Sequence, residues 1–143
     1  MAVAAFQKFN CFVEDLAEKK HNLGSDTLKV LLTNTAPVAT NTVKANLTEL
    51  GTGAGYTAGG ATATIGTSAQ TSGTYKLVLS DVSWTASASM GPFRYAVLYN
   101  DTATNDELIG WWDNGTNVTL ANTEVFTVDF DASAGVLTIT SPA

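Results

Sequence analysis

Cysteine, histidine, proline and positive charge are all scarce in this chain of 143 residues, which has one Cys, one His, three Pro and seven Lys or Arg. Each scarcity excludes something. A lone Cys11 cannot close an internal disulfide, so folding falls to the core and a reducing compartment is permitted. Set among Phe9, Phe12 and Val13, it reads as a small buried hydrophobe rather than a reactive thiol. A metal site made from histidines is excluded by count, and a Ser/His/Asp triad would have to be built on His21, which lies in a polar turn with Lys19, Lys20 and Asn22. Seven scattered cations against thirteen acids leave a formal net charge of -6, which argues against nucleic acid as a partner, because phosphate binding needs clustered Lys and Arg.

No apolar run approaches the ~20 residues of a membrane-spanning helix, so no membrane partner is expected. The start, MAVAAFQKFNCFVEDL, lacks a basic region followed by a continuous apolar core and does not read as a secretory signal. Four Asn-x-Thr sequons, at Asn46, Asn100, Asn114 and Asn117, are then chance products of abundant Asn and Thr.

Charged residues make up only 14% of the chain, against roughly 25% in ordinary soluble domains, so Thr, Ser, Asn and Gly must build the surface. Thr fits the pleat of a strand through its branched Cβ, and Gly and Asn supply turns. The length suits one domain, spanning residues 1–143, with a real core. The expected class is mainly β, an antiparallel sandwich of jelly-roll type with a short N-terminal helix.

Along the chain, Phe6, Phe9, Val13 and Leu16 follow a helical stripe through Ala4 to Lys20, with Lys19 and Lys20 at its C-terminal end and Gly24 close enough to stop it. The alternation Gln7, Phe9, Cys11, Val13 fits a strand as well, so residues 1–23 are helical or extended. Thr27 to Thr33 is the first core strand. Residues 34–69 read as loop-rich, with a helical turn within Val43 to Leu50 and a thin edge strand over Ala61 to Ile65. From Thr74 strand signals recur at sandwich spacing: Tyr75 to Leu79, Val82 to Thr85, Phe93 to Tyr99, Glu107 to Asp113, Asn117 to Leu120, Glu124 to Phe130 and Val136 to Thr140. No βαβ rhythm interrupts them, which makes the sheets antiparallel.

The densest segment is Gly91 to Asp113, GPFRYAVLYNDTATNDELIGWWD. Phe93, Tyr95, Val97 and Tyr99 alternate with Arg94, Ala96 and Leu98, and neither face is polar, so this hairpin should be covered on both sides. Asn100, Asp101, Asn105 and Asp106 supply its turn. Trp111 and Trp112 adjoin on a strand and must point to opposite faces, one into a core and the other free to stack on sugar or anchor a partner. Trp84 and Tyr75 add aromatic surface.

Other constellations carry less. The string GTGAGYTAGG, Gly51 to Gly60, fits neither phosphate-binding glycine pattern and reads as a mobile surface loop. Asp129 and Asp131 flank Phe130 on one side of a strand, but a hard cation wants more oxygen ligands than these two supply. No motif isolates a carboxylate pair of the glycosidase kind. The residues themselves point to no catalytic group and no cofactor.

Taken in order, HNLGSDTLKVLLTNTAPV (His21 to Val38), GYTAGG (Gly55 to Gly60), YKLVLSDVSWTAS (Tyr75 to Ser87), GPFRYAVLYNDTA (Gly91 to Ala103), LIGWWD (Leu108 to Asp113) and FTVDFDASAGVLTI (Phe126 to Ile139) resemble a group of small structural proteins of tailed bacteriophages and prophages. The resemblance implies a noncatalytic virion protein, similar to the cement or decoration proteins that bind the major capsid protein and stabilise the head. It also implies residence on the capsid surface as a dimer or trimer, after synthesis in the bacterial cytoplasm. A tail- or fibre-associated carbohydrate-binding module is the alternative, with Trp111, Trp112 or Tyr99 as its stacking platform. Interface candidates are the apolar N-terminal residues Phe6, Phe9 and Phe12, then Trp111, Trp112 and Tyr99, then the loops Asn34 to Asn46 and Gly51 to Gly60.

Overall fold

A computed structural model describes residues 4–142. The N-terminal segment takes both of the forms its spacing permits, each shorter than expected: Gln7–Lys8 is a strand (β1) and Cys11–Ala17 a helix (α1). The buried side of α1 is Phe12 and Asp15, whereas Val13 is 69% exposed, so the Phe6, Phe9, Val13, Leu16 stripe is not the packed face. Lys19 and Lys20 lie beyond the helix rather than in its last turn. Lys19 takes a left-handed φ of 66°, and the Lys20 amide turns back to the Asp15 carbonyl at 2.8 Å, which ends the helix well before Gly24.

The remaining strands are β2 (Leu28–Thr33), β3 (Ala61–Ala63), β4 (Ile65–Thr71), β5 (Thr74–Leu79), β6 (Val82–Thr85), β7 (Met90–Asn100), β8 (Leu108–Leu120), β9 (Val125–Val128) and β10 (Leu137–Thr140). Every ladder is antiparallel. The protein is therefore mainly β with one short helix, as its Thr-rich, charge-poor composition requires. One sheet has five strands in the order β1-β8-β7-β2-β3, and the others are β10-β5-β4 and β6-β9.

The two smaller sheets form one layer. Only Ser80 and Asp81 separate β5 from β6, and these two strands pair with β10 and β9 respectively. The result is two short ladders in succession, between which residues 129–136 bulge outward. Asp81 anchors the bulge by accepting the Phe130 amide at 2.9 Å, and the Val136 amide rejoins the ladder at the Leu77 carbonyl, 2.8 Å away.

Alternation divides the large sheet between two cores, with a break in β8 where the pairing skips Ile109, so Leu108 and Trp111 share one face and Ile109 and Trp112 the other. Leu28, Val30, Leu32, Ala96, Leu98 and Ile109 face the small layer, where Leu77, Leu79, Val82, Trp84 and Leu137 meet them. Leu31, Val97, Tyr99, Leu108 and Trp111 face the other way, under Phe9 and Leu47. Both faces of the hairpin are thus covered, as its unbroken apolar character demanded. Phe93 departs from that pattern: the pairing shifts between Phe93 and Tyr95, so Phe93 joins Ala96 and Leu98 on the inner face and leaves Tyr95, Val97 and Tyr99 outside. Strand β8 also runs unbroken to Leu120, merging two segments that the sequence separated.

Residues 34–69 are less loop-like than their composition promised. They hold a 3-10 turn at Lys44–Asn46, the edge strand β3 and most of β4, whose small polar side chains gave no apolar signal. Gly51 to Gly60 is a loop anchored at its middle rather than one lying free on the surface. Tyr56 in its middle is 1% exposed, donates to Glu49 Oε1 at 2.6 Å and accepts the Leu32 amide at 3.1 Å, satisfying the edge of β2 beyond β3. Gly60, at φ +75°, lies so close to the Val30 carbonyl that a Cβ would stand 1.8 Å from its oxygen.

Candidate functional site: an aromatic groove at a strand edge

Four of the six aromatic interface candidates are consumed by the protein's own cores. Phe9 packs against Trp111 in a tilted pair, 4.5 Å between ring centroids and 42° between planes, and the two close the outer core. Phe12 packs into the inner core against the His21 ring at 5.7 Å. Tyr99 has no exposed surface, donates its hydroxyl to the Gly59 carbonyl at 2.6 Å and carries Lys44 Nζ over its ring at 5.3 Å. Burial raises its phenol pKa, and it offers no platform for a sugar.

Trp112 and Phe6 remain. As adjacent residues on β8, Trp111 and Trp112 point to opposite faces, and Trp112 is only half-buried on the inner one. Phe6 lies 4.7 Å from it, and Phe130 meets it edge-on at 5.5 Å and 61°. These rings line a groove of about 760 Å3. Its floor is the inner face of the large sheet at Arg94, Ala96, Trp112 and Asn114, alternate residues of two paired strands. Along one side it touches every residue from Val125 to Asp131 in succession. Successive strand residues face opposite ways, so a hollow in contact with all of them must run along the main-chain edge. Ala4 and Phe6 close one end, and the bulge at Ala134, Gly135 and Val136 closes another.

The electrostatics of the rim are set by a fork. Arg94 Nε and one terminal nitrogen donate to the two carboxylate oxygens of Asp113 at 2.7 and 2.9 Å, and Asp113 also accepts the Gly115 amide at 2.7 Å. Arg94 first, then the Gly115 amide, holds the Asp113 carboxyl below the usual range. Asp131 is held low by the amides of Ala134 and Ser133, both bonded to its Oδ1 at 2.7 Å. Its carboxylate is spent on the turn. Asp129 is exposed at the groove edge and leaves a negative rim once Arg94 is neutralised.

That Arg94, Phe126 and Phe130 converge with Trp112 was not legible from sequence, because they come from three separate segments. The signal that was present is the alternation of Phe126, Val128 and Phe130, which marks the inward face of β9. Among the described residues no group of three His, Cys, Asp or Glu side chains is placed to hold a metal ion, and no helix is long and apolar enough to cross a membrane.

His21 and Cys11 lie elsewhere. His21 is buried rather than set in a polar turn, with Asn100 donating to its Nδ1 at 3.1 Å, and burial depresses its pKa. Cys11 is half-covered, its Sγ within 3.8 Å of the carbonyls of Asn41, Thr42 and Leu108. Burial first, then a hydrogen bond with Asp15, pushes the thiol up to about 11, which makes it a poor nucleophile at neutral pH.

No protein-family model, curated protein or solved structure matches the chain.

Proposed function

We propose that this protein is a noncatalytic structural component of a tailed-phage virion, a cement protein that binds the major capsid protein on the outside of the head. The observation that carries the reading is the Trp112 groove, an aromatic hollow beside a strand edge that has no pairing partner among the described residues. Such a surface buries apolar area and supplies main-chain hydrogen bonds to a neighbour, which is what reinforcement across capsomer boundaries requires. Binding to the assembled shell alone stabilises that shell by mass action. The motif resemblance along the chain supplies the virion context. The proposal includes a dimer or trimer on the capsid surface and synthesis in the bacterial cytoplasm. It also includes a jelly-roll wrapping, supported by a chain that passes between the two layers after β3, after β6 and again after β8.

The test is addition of purified protein to expanded heads that lack it. Saturable co-sedimentation and a higher temperature of head disruption are expected, and heads that neither bind the protein nor gain stability would refute the proposal.

A second reading, a tail-associated carbohydrate-binding module, draws on the same half-buried Trp112 with Asn114 and Asp129 at its rim. Of the three platforms first considered it rests on Trp112 alone, because Trp111 and Tyr99 are buried. A glycan array separates the readings: sugar binding lost with Trp112→Ala supports the module, and sugar-independent binding to heads supports cement.

A further inference from the structure

The two layers of the protein do not match in width. The large sheet has five strands, and the small layer is only three strands wide, β4, then β5 with β6, then β9 with β10. At the β8 side the inner face of the large sheet therefore extends past β9, and the uncovered strip is the groove floor of Ala96 and Trp112. A strand placed beside β9 would roof it.

The edge of β9 is prepared for one. The Ala86 amide donates to the Glu124 carbonyl at 2.8 Å in the register of the β6–β9 ladder. Antiparallel ladders alternate, so Phe126 and Val128 turn their main-chain groups toward β6, while Val125 and Thr127 turn theirs away from it. Among the described residues, no strand lies beside those outward groups. The side chains of Val125 and Thr127 are exposed, with Val125 at 55%, so nothing on this edge is tied into the core.

We infer that the groove is a strand-addition site, in which an extended partner segment pairs with Val125 and Thr127 of β9 and lowers alternate aliphatic side chains onto Trp112 and Ala96. The inference rests on the reading of the groove as a docking surface and names its mode of recognition. Charge selects the occupant. Arg94 is neutralised by Asp113, and Asp129 stands exposed at the edge of a chain with net charge -6, so the segment carries a Lys or Arg at the Asp129 end. The β9 strand of a second copy does not suit, because its apolar Phe126 and Val128 are already turned into their own core. The occupant is therefore a loop or terminus of another protein, extended before it binds or on binding.

Proline at position 127 is the discriminating change. Thr127→Pro deletes an outward amide that the native ladder does not use, and proline is tolerated at such edge positions. Thr127→Val keeps the amide and loses the same Ser83 hydroxyl contact, which makes it the control. The probe is a random ten-residue peptide library panned against the full chain. Expected binders alternate aliphatic residues and carry a cation at one end. Their affinity should fall roughly tenfold with Thr127→Pro, the scale of one lost main-chain bond, and hold with Thr127→Val. Asp129→Lys should remove the preference for the cation. A library that enriches nothing on the wild-type chain, or binders indifferent to Thr127→Pro, would overturn the inference, with the fold of each variant checked by its circular dichroism. Head binding that survives Thr127→Pro would sink strand addition and leave the cement reading standing.

Discussion

Phe6 and Trp112 lie 4.7 Å apart between ring centroids, and this contact fastens the N-terminal segment over one end of the groove. It is possible because Gly110, opposite Lys8 in the β1–β8 ladder, has no side chain. A Cβ there would stand 2.3 Å from two atoms of the Phe6 ring and 2.6 Å from the Gln7 carbonyl.

Gly110→Ala should therefore displace β1 and uncover both tryptophans, at a cost of about 1–3 kcal/mol for the overpacked contact. Urea denaturation measures the cost, and a red-shifted tryptophan emission in the folded state reports the exposure. Phe6→Ala should cost less than Phe9→Ala, because Phe6 is partly exposed and Phe9 is buried to 1%, where removal of a core Phe costs about 3–5 kcal/mol.

Asn100 holds three segments together. Its amide nitrogen donates to Asp26 Oδ2 at 2.7 Å and lies within 3.2 Å of the Lys20 carbonyl and His21 Nδ1, which share its second hydrogen, and its oxygen accepts the amides of Thr102 and Ala103. Asn100→Ala should destabilise the fold by roughly 2–4 kcal/mol, since it leaves several buried groups without partners. The sequon at this position should carry no glycan in any host, because Asn100 has no exposed surface, and an intact-mass measurement checks it.

Acid should weaken the protein in two windows. The pKa of His21 is lowered by burial against the opposing pull of Asp15, Glu107 and Asp26, so the unfolded chain binds a proton at a pH where the folded one does not. Its contribution is complete above the unfolded value of about 6.5 and is lost as pH falls below it. Asp113 and Asp131, both held low, add a second loss below about pH 4. Urea midpoints for wild type should fall between about pH 7.5 and 5.5, and those of His21→Gln should stay flat there.

Gly60→Ala should cost more than about 2 kcal/mol, combining the left-handed backbone with a clash against the Val30 carbonyl. Thermal unfolding of the variant measures it.

The strands with large apolar side chains were legible in the sequence, β2, β5 and β6 among them, because those positions are set by the core they build, whereas β10 was legible although it buries only Leu137 and leaves Ile139 40% exposed. Strand β4 was not. Ile65–Thr71 has one large apolar residue, and its place is decided by pairing with β5 rather than by burial. The glycines of GTGAGYTAGG read as freedom because the sequence does not reveal that Tyr56 is pinned by Glu49 and Leu32, or that Gly60 sits against Val30. The groove was half visible: the opposite orientations of Trp111 and Trp112 followed from strand geometry, but not which of them Phe9 would cover. Its far wall depends on the 129–136 bulge, which arises from a mismatch between two ladders and has no local signature.

The most direct test of the proposed cement role is imaging of tailed-phage heads incubated with this chain, at a resolution that distinguishes its two layers. The account predicts copies on the outer surface of the head, with the β9 edge against the major capsid protein and added density over Trp112. Heads without bound copies, or head-bound copies with the Trp112 groove open to solvent, would contradict it.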